Sequence, residues 1–235
     1  MMFKKLSVLI PVYNEKDTVK TCIDKVLASN TLDMDLEVIV SDNNSTDGTK
    51  EILKEIQNPK VKILFKERNE GKGSNIKNAL NHAQGDIILF QDADLEYSPE
   101  NFKDLLSPFF QNEADVVYGT RLTKTKVTRI VGFPNYMANK IITFLTNFLY
   151  NKIFSDIATG YKVFKKDIIK NMNITSDGFE IEPEITAKIS KIRPRVRIYE
   201  VGISYYGRTY EEGKKITWID GFRAIYVILK YNLFR

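Results

Sequence analysis

The sequence has very few of the residues on which cysteine-dependent or histidine-dependent sites are built. Its 235 residues include one cysteine, Cys22, and one histidine, His82. A single cysteine excludes an internal disulfide framework and a cysteine-based zinc site, which is typical of a reducing compartment such as the cytoplasm. A serine–histidine triad would depend on His82, which lies in a predicted helix and which we interpret as a packing or surface residue.

Long apolar runs are missing as well. Residues 1–7 carry two lysines, and no secretory h-region follows before Pro11, so no export signal is expected. The most apolar stretch, 130–154, is interrupted repeatedly by asparagine and lysine. It therefore predicts no transmembrane helix.

The composition that remains is that of one compact domain over residues 1–235, with 43% hydrophobic and 28% charged residues. The net charge of +5 and the isoelectric point of about 9.0 indicate anionic partners: nucleic acid, an anionic membrane surface or a phosphorylated small molecule. The basic residues are dispersed among acidic ones and no recognition module is visible, so we expect no nucleic-acid partner.

Strand and helix patterns alternate through the first half of the chain. Strands are predicted over 6–10, 37–40, 61–65, 87–90 and 114–119, and helices over 17–29, 49–56 and 74–83. This alternation predicts an α/β fold with a mainly parallel, doubly wound sheet flanked by helices. Longer helices and an isolated strand near 196–200 follow. We therefore expect a nucleotide-binding half, 1–120, and an acceptor-binding half with amphipathic helices, 121–235.

The most informative feature stands where the apolar run 87–90 stops. Asp92 and Asp94 follow it, one residue apart. In an extended chain such residues project to the same side, so both can direct oxygens at one hard cation, Mg²⁺ or Mn²⁺. Open α/β sheets bind ligands at this end of a strand. On spacing alone, an acidic turn that caps the next helix is an equally good interpretation.

Polar loops follow the other predicted strands. Pro11, Tyr13 and Glu15 come after the first strand and Asp42 after the second. A carboxylate such as Glu15 or Asp42 can accept hydrogen bonds from a base N–H or from ribose hydroxyls. The segment 69–74 contains glycines, a lysine and a helix start, all favourable to phosphate, although it lacks the spacing of a Walker A loop.

Six short motifs follow one another along the chain. They are Pro11-Val-Tyr-Asn-Glu15, Asp42-Asn-Asn-Ser-Thr-Asp-Gly-Thr49, Asn69-Glu-Gly-Lys-Gly73, Gln91-Asp-Ala-Asp94, Gly119-Thr-Arg121 and Asp156-Ile-Ala-Thr-Gly160. In this order they resemble the motifs of family 2 glycosyltransferases, and most of all those of the polyprenyl-phosphate (dolichyl-phosphate) mannose and glucose synthases. The resemblance covers essentially the whole chain.

The resemblance implies a GT-A fold and a nucleotide-sugar donor such as UDP-glucose or GDP-mannose. It also implies a divalent cation, inversion at the anomeric carbon, and a polyprenyl or dolichyl phosphate acceptor at the cytoplasmic face of a membrane. By position, Glu15 and Asp42 would face the nucleoside, and Asp92 and Asp94 would bind the metal. Glu96 stands where some mannose synthases have a glutamine that helps to bind the metal.

Further site residues are assigned by the same resemblance. Arg121 and Arg208 would contact phosphate, and Asp156 and Glu182 would bind sugar hydroxyls or stabilise oxocarbenium character. We expect catalytic roles for Asp94, Arg121, Asp156 and Arg208. The expected substrate-binding residues are Pro11, Tyr13, Glu15, Asp42, Lys72, Gln91, Asp92, Arg129, Glu182 and Lys214, and the expected metal ligands are Asp92, Asp94 and Glu96. We interpret Glu184 as a helix-start acid favoured by the helix dipole.

The expected chemistry follows from the acceptor. A lipid monophosphate has a second pKa of about 6, so it is largely dianionic at neutral pH and needs no strong general base. Arginine suits a phosphate better than lysine does, because its guanidinium can bind two oxygens at once. An acceptor hydroxyl would instead need a base, and a protein that only binds nucleotide sugars is a further alternative.

Two segments carry wide apolar helical faces, 134–154 and 218–235. Such a face is typical of an interfacial membrane helix near cations, and equally of a helix that packs on a protein core. We predict that at least one of them lies on the bilayer, which makes the protein a peripheral membrane protein.

Overall fold

The computed structural model describes residues 3–123, 126–130, 132–209, 211–213, 215 and 217–233. Its centre is a seven-stranded sheet with the strand order β3-β2-β1-β4-β6-β5-β7. The strands are β1 (Lys5–Val12), β2 (Asp35–Asp42), β3 (Val61–Phe65), β4 (Ile87–Phe90), β5 (Val116–Thr120), β6 (Lys162–Lys165) and β7 (Ile198–Gly202). All four residues of β4 are buried, as expected for a central strand covered on both faces.

Helices cover both faces of the sheet. They are α1 (Val19–Leu27), α2 (Thr49–Lys54), α3 (Lys72–His82), α4 (Phe102–Gln111), α5 (Phe133–Tyr150), α6 (Lys166–Lys170), α7 (Ile181–Lys191) and α8 (Trp218–Leu233). The predicted helices of the first half are present as α1, α2 and α3. Two separate groups of buried apolar side chains pack on the two faces of the sheet.

The pairing is mainly parallel, which confirms the predicted α/β class. β1 pairs in parallel with β2 on one side and with β4 on the other, and β2 pairs in parallel with β3. The chain therefore reverses its direction of winding at β1. A crevice opens at such a point beyond the carboxyl ends of the strands, and here it receives the residues that follow β1, β2 and β4.

Three features of the second half differ from the sequence prediction. The strand expected to be isolated, β7, pairs in parallel with β5. β6 was not predicted; it lies antiparallel between β4 and β5, and its four residues begin and end with lysine, which hides the apolar pattern of a buried strand. Pro183 in the sequence predicts a helix that starts at that residue, but α7 begins two residues earlier, at Ile181, since a proline is tolerated anywhere in the first turn, where its missing N–H has no helical partner.

The two longest helices, α5 and α8, pack against one another near their carboxyl ends. The Tyr150 hydroxyl donates to the carbonyl of Ile228 at 2.7 Å, and the side-chain amide of Asn232 donates to the carbonyl of Leu149 at 2.9 Å. Their outer faces remain apolar and exposed. No helix among the described residues is both long and apolar enough to cross a bilayer.

Candidate active site

Asp92 lies beyond the end of β4, with Lys72 and Gly160 against it. The ammonium of Lys72, at the start of α3, is 2.7 Å from Oδ1 of Asp92. A Cβ on Gly160 would overlap Oδ2 of Asp92, so the glycine of the Asp156–Gly160 motif leaves room for this carboxylate. The motifs that contain Asp92 and Gly160 therefore meet at one point.

Asp94 faces the same crevice from two residues further along. Its Oδ1 accepts the backbone N–H of Glu96 at 3.1 Å, and its Oδ2 lies 3.3 Å from a guanidinium nitrogen of Arg208. Burial raises the pKa of Asp94 to about 7, and the nearby charges of Asp92 and Glu96 add to the effect. Negative charge is thus concentrated at a place where a bound cation would relieve it.

Glu96, the third expected metal ligand, has both carboxylate oxygens engaged by the protein. The Tyr205 hydroxyl donates to one at 2.7 Å and the backbone N–H of Arg208 donates to the other at 2.7 Å. Within the described ranges, no group of three or more histidine, cysteine or acidic side chains is arranged to hold a metal ion. Both oxygens of Asp92 and of Asp94 are likewise engaged, by Lys72, by the backbone N–H of Glu96 and by Arg208. Metal binding by Asp92, Asp94 and Glu96 stays a prediction.

Cations from the second half of the chain reach Glu15, after β1. Two guanidinium nitrogens of Arg208 lie 3.2 and 3.0 Å from the two oxygens of Glu15. Lys215 approaches the same carboxylate at 2.6 Å and donates to the carbonyl of Tyr13 at 2.5 Å. Arg208 and Lys215 therefore lie against the loop after β1, and Arg208 joins Glu15 to Asp94.

Asp42, at the end of β2, is completely buried. Its Oδ2 accepts the backbone N–H of Ser45 at 3.1 Å. Its Oδ1 has no hydrogen-bond partner within the part of the chain that the structure describes. A buried acceptor without a partner is costly, and a base or ribose donor would satisfy it.

The start of α3 differs from the phosphate loop that its sequence suggested. The backbone N–H of Ser74 donates to the carbonyl of Asp177 at 3.0 Å, and that of Gly71 donates to Asn69. A Cβ on either Gly71 or Gly73 would collide with the backbone around Asp177. The N–H groups of Gly71 and Ser74 are therefore used inside the protein, and the side chain of Lys72 reaches Asp92 in the crevice.

Arg121 and Asp156 form a buried, bidentate ion pair on the side of the crevice next to α5. Nε and one terminal nitrogen of Arg121 lie 2.7 and 2.8 Å from the two oxygens of Asp156, and Asn139 of α5 donates to one of them at 2.8 Å. Burial by itself would raise the pKa of Asp156, but the Arg121 guanidinium more than compensates and lowers it. Asp156 is an ionised anchor for Arg121.

The remaining predicted residues fall into different places. Gln91 is fully buried and accepts a hydrogen bond from the Tyr161 hydroxyl at 2.6 Å, so its side chain lies in the core beneath the crevice. Arg129 is half exposed and pairs with Glu212 at 2.7 Å, next to the segment that carries Arg208. Glu182 lies in the first turn of α7, 3.3 Å from Lys72. Lys214 lies outside the described residues.

Sequence reasoning missed two aromatic residues and a lysine that organise this crevice. Tyr97 lies under the backbone of Gly160, which donates to its hydroxyl at 2.9 Å, and the ring of Tyr205 lies 5.1 Å from the Arg121 guanidinium. Lys162 is completely buried next to Glu182. The only signal in the sequence was the position of Lys162 directly after the Asp156–Gly160 motif and Tyr161.

The family to which the chain belongs is identified by its similarity to known proteins. The family model described as glycosyl transferase family 2 matches residues 7–172, most of the chain. This chain belongs to glycosyl transferase family 2. The matched range includes every motif described above from Pro11 to Gly160.

Similar proteins come from archaea. The chain is 27% identical over 233 residues to a dolichol-phosphate mannosyltransferase of Pyrococcus furiosus. The alignment covers 97% of this chain and 64% of that protein. It is 29% identical over 205 residues to the glycosyltransferase AglJ of Haloferax volcanii, with 86% of this chain and 63% of that protein covered. The low-salt glycan biosynthesis hexosyltransferase Agl6 of the same organism is 30% identical over 227 residues, 95% of this chain and 53% of its own length. This chain thus spans between about half and two thirds of these relatives.

The fold has a solved counterpart. Glucosyl-3-phosphoglycerate synthase from Mycobacterium tuberculosis, crystallised with Mn²⁺, UDP and phosphoglyceric acid, superposes with a TM-score of 0.76 at 18% identity over 99% of this chain and 80% of that one. The expected GT-A fold of this family 2 member is confirmed.

Proposed function

We propose that this protein is an inverting hexosyltransferase. It would move one glucose or mannose from a UDP-linked or GDP-linked donor to polyprenyl or dolichyl phosphate at the cytoplasmic face of a membrane. The observation that carries the proposal is the meeting of Asp92 and Asp94 with Lys72 and Arg208 at the carboxyl end of β4, in a chain of this family.

The donor side is built for a nucleoside diphosphate. Asp42 Oδ1 is a buried acceptor that, among the described residues, lacks a partner, which suits a base N–H or a ribose hydroxyl. Glu15, held by Arg208 and Lys215, lies on the same edge of the sheet. Lys72 and Arg208 bring positive charge to the position where the two phosphates of the donor would lie.

The acidic pair fits a divalent cation. Asp92 and Asp94 offer the hard oxygen ligands that Mg²⁺ and Mn²⁺ prefer. The pKa of Asp94 is raised first by burial and then by the charges of Asp92 and Glu96, and a bound cation would favour its ionised form. When bound, the metal would supply charge neutralisation for the departing nucleoside diphosphate. The solved counterpart with Mn²⁺ and UDP supports this assignment by its fold.

The acceptor side is built around Arg121. Asp156 holds two of its nitrogens and the Tyr97 hydroxyl lies 3.3 Å from the third, so the guanidinium is fixed in place with N–H groups left to contact a phosphate. Fixing the acceptor removes much of the entropic barrier of a reaction between two anions. The name of the Pyrococcus relative, a dolichol-phosphate mannosyltransferase, agrees with a lipid-phosphate acceptor.

The transfer itself needs no proton to move. An oxygen of the acceptor phosphate forms a bond to the anomeric carbon, while the bond from that carbon to the β-phosphate oxygen of the donor breaks. The electron pair leaves with the nucleoside diphosphate, and attack from the opposite face inverts the carbon. Arg121 orients the nucleophile, and Lys72 and Arg208 stabilise the charge that develops on the leaving group.

A hydroxyl acceptor is the weaker alternative on structural grounds. It would require a base close to the acceptor, and Asp156 is the carboxylate that lies against Arg121. Its bidentate pairing with Arg121 and its lowered pKa make it a poor base. A phosphate acceptor requires no such group.

The exposed faces of α5 and α8 supply a membrane surface for the lipid. Phe144 and Phe148 on α5 are 71% and 75% exposed, and Trp218 and Phe222 on α8 are 74% and 66% exposed. Exposed Lys230 lies on the same helix as the last two. Large exposed aromatic residues beside cations are typical of helices that lie in the interface of an anionic membrane.

The test is a transfer assay with matched acceptors. Purified protein is incubated with polyprenyl phosphate or with the corresponding polyprenol, with Mg²⁺ or Mn²⁺, and with UDP-glucose, GDP-mannose and other nucleotide sugars. We expect mass spectrometry to show one added hexose on the phosphate, from one donor, and none on the alcohol. Addition to the alcohol would favour the hydroxyl alternative, and no transfer from any donor would contradict the proposal.

A further inference from the structure

Lys162, the first residue of β6, is the only lysine with a completely buried side chain among the described residues. Its ammonium donates to the carbonyl of Thr159 and to Oε2 of Glu182, and lies 5.0 Å from the centre of the Tyr118 ring. A fully buried lysine is rare and must be paired to be tolerated. Replacing such a pair by apolar residues often costs no stability, so stability alone does not account for it.

Among the described residues, hydrogen bonds reach only one of the two oxygens of Glu182. Oε2 is bound by Lys162, whereas Oε1 is buried and has no hydrogen bond to any residue that the structure describes. Oε1 lies 3.3 Å from the ammonium of Lys72, which is 2.7 Å from Asp92. Four alternating charges, Asp92, Lys72, Glu182 and Lys162, therefore run from the crevice into the core.

The orientation of Glu182 depends on Lys162. Without that ammonium, both carboxylate oxygens would lack hydrogen bonds, and the side chain would turn toward Lys72, the other cation within reach. Both of its oxygens would then face Lys72, which remains paired with Asp92. With Lys162 in place, Oε1 stays in an ion pair with Lys72 and keeps capacity to accept a hydrogen bond, since no described residue donates one to it.

A sugar hydroxyl is the donor chemistry that fits. A phosphate oxygen would be repelled by the carboxylate, and an apolar group would leave the acceptor unsatisfied. The position of Glu182, one lysine away from Asp92, is next to the expected diphosphate and so next to the hexose attached to it.

We propose that Lys162 is a positioning residue for the hexose of the donor: by binding Oε2 of Glu182 it presents Oε1 to one sugar hydroxyl. The inference rests on the proposed function, and assigns to a core lysine a role in sugar recognition. Lys162 itself touches no substrate.

The test compares ligands with and without the sugar. Titration calorimetry with Mn²⁺ measures UDP, GDP, UDP-glucose and GDP-mannose binding to the wild type, to Lys162→Met and to Lys165→Met. Lys165 is the matched control, because it is the last residue of the same strand and pairs with Asp115 at 2.6 Å, at the end of β6 away from Asp92.

We expect Lys162→Met to bind the nucleoside diphosphate as the wild type does and to bind the nucleotide hexose about 10-fold to 100-fold more weakly, the effect of losing one hydrogen bond to a charged group. Lys165→Met should change neither. A donor analogue that lacks the recognised hydroxyl should bind equally to the wild type and to Lys162→Met.

A second variant keeps the inference testable if Lys162→Met does not fold. In Glu182→Gln, Lys162 would bind the amide oxygen and turn the NH₂ group toward the sugar, so an acceptor is replaced by a donor. We expect the same selective loss of nucleotide-hexose binding.

Equal weakening of nucleoside diphosphate and nucleotide hexose by Lys162→Met would show a merely structural role, and wild-type hexose binding by Glu182→Gln would also overturn the inference. If the wild type binds no nucleotide hexose at all, the proposed function fails together with the inference. If the wild type binds the nucleotide hexose and the variants lose nucleoside diphosphate and nucleotide hexose binding equally, the inference is wrong and the proposed function stands.

Discussion

The two halves of the chain differ in how many of their large apolar side chains are exposed to solvent. Among the described residues up to 120, Phe65 and Phe110 are the only large apolar side chains that are exposed. The second half exposes many, and they include Ile130, Phe133, Ile141, Phe144, Phe148, Ile153, Trp218, Phe222, Tyr226 and Leu233. The first half thus buries nearly all of its large apolar side chains, and the second half presents an exposed apolar surface.

Charge is also divided between the halves. Glu15 and Asp94 of the first half are met by Arg208 and Lys215 of the second. Lys72 of the first half is met in turn by Glu182 of the second. The charges in the crevice are therefore neutralised by ion pairs between the two halves. Neither half by itself contains equal positive and negative charge at this site. The charged side chains of the crevice therefore come from both halves, whereas the exposed apolar surface belongs to the second half.

The largest expected effect tests the chemistry of the first half. Replacing Asp92 and Asp94 together by asparagine keeps their volume and removes their charge, so cation and diphosphate binding should both fail. We expect transfer to fall by about 1000-fold. Initial rates measured across a Mn²⁺ titration check this. Asp104→Asn is the control, because this carboxylate is exposed and pairs with Lys126 at 2.8 Å. Turnover retained by the double variant would mean that the acidic pair is not the metal site.

The next effect tests the apolar surface of the second half. Phe144→Glu combined with Phe148→Glu places two charges on the outer face of α5, where the two rings stack 6.5 Å apart. Since each exposed ring contributes about 1.5–3 kcal/mol when buried, vesicle affinity should fall by at least about 100-fold, with nucleotide binding unchanged.

Sedimentation with phosphatidylglycerol-containing vesicles measures the vesicle affinity. Phe65→Glu is the matched control, because Phe65 is an exposed phenylalanine of the first half. If the α5 double variant binds vesicles like the wild type, or if Phe65→Glu weakens binding as strongly, the contrast between the two surfaces is wrong.

The smallest effect concerns the cohesion of the second half. Glu184 was interpreted as a helix-start acid; it does lie in the first turn of α7, but it is completely buried. It accepts the backbone N–H groups of Thr175 and Ser176 at 2.8 and 2.7 Å and the hydroxyl of Tyr231, on α8, at 2.8 Å. Although burial opposes ionisation, Lys188 and these donors lower the pKa of Glu184 from 4.5 to about 2.

A lowered pKa stabilises the folded protein when the carboxylate is ionised in both states. The contribution is therefore complete above pH 4.5 and is lost as the pH falls toward 2. We expect Glu184→Gln to reduce the free energy of unfolding by about 2 kcal/mol at pH 7 and by much less near pH 3. Urea unfolding at both pH values measures it, with Asp177→Asn, an exposed carboxylate near Lys77, as control. A difference that does not depend on pH would contradict the charge argument.

Much of the first half was predictable because its pattern is local. Strands alternate with helices, and polar motifs follow the strands directly, so the carboxyl edge of a parallel sheet collects them whatever the loops do. Asp42 and Asp92 are where this reasoning places them. The second half was harder to predict. Its strand β6 is short and bounded by lysines, and the burial of a residue such as Lys162 depends on partners distant in the sequence.

The sequence by itself determined the class of fold, the family and the acidic pair beyond β4, since each of these depends on residues close together along the chain. Only the tertiary structure decided which charged side chains form ion pairs with one another. Arg208 meets Glu15 across 193 positions of sequence, Arg121 is held by Asp156, and Lys162 pairs with Glu182. Such pairings arise from the packing of strands and helices against one another, and no local pattern in the chain encodes them.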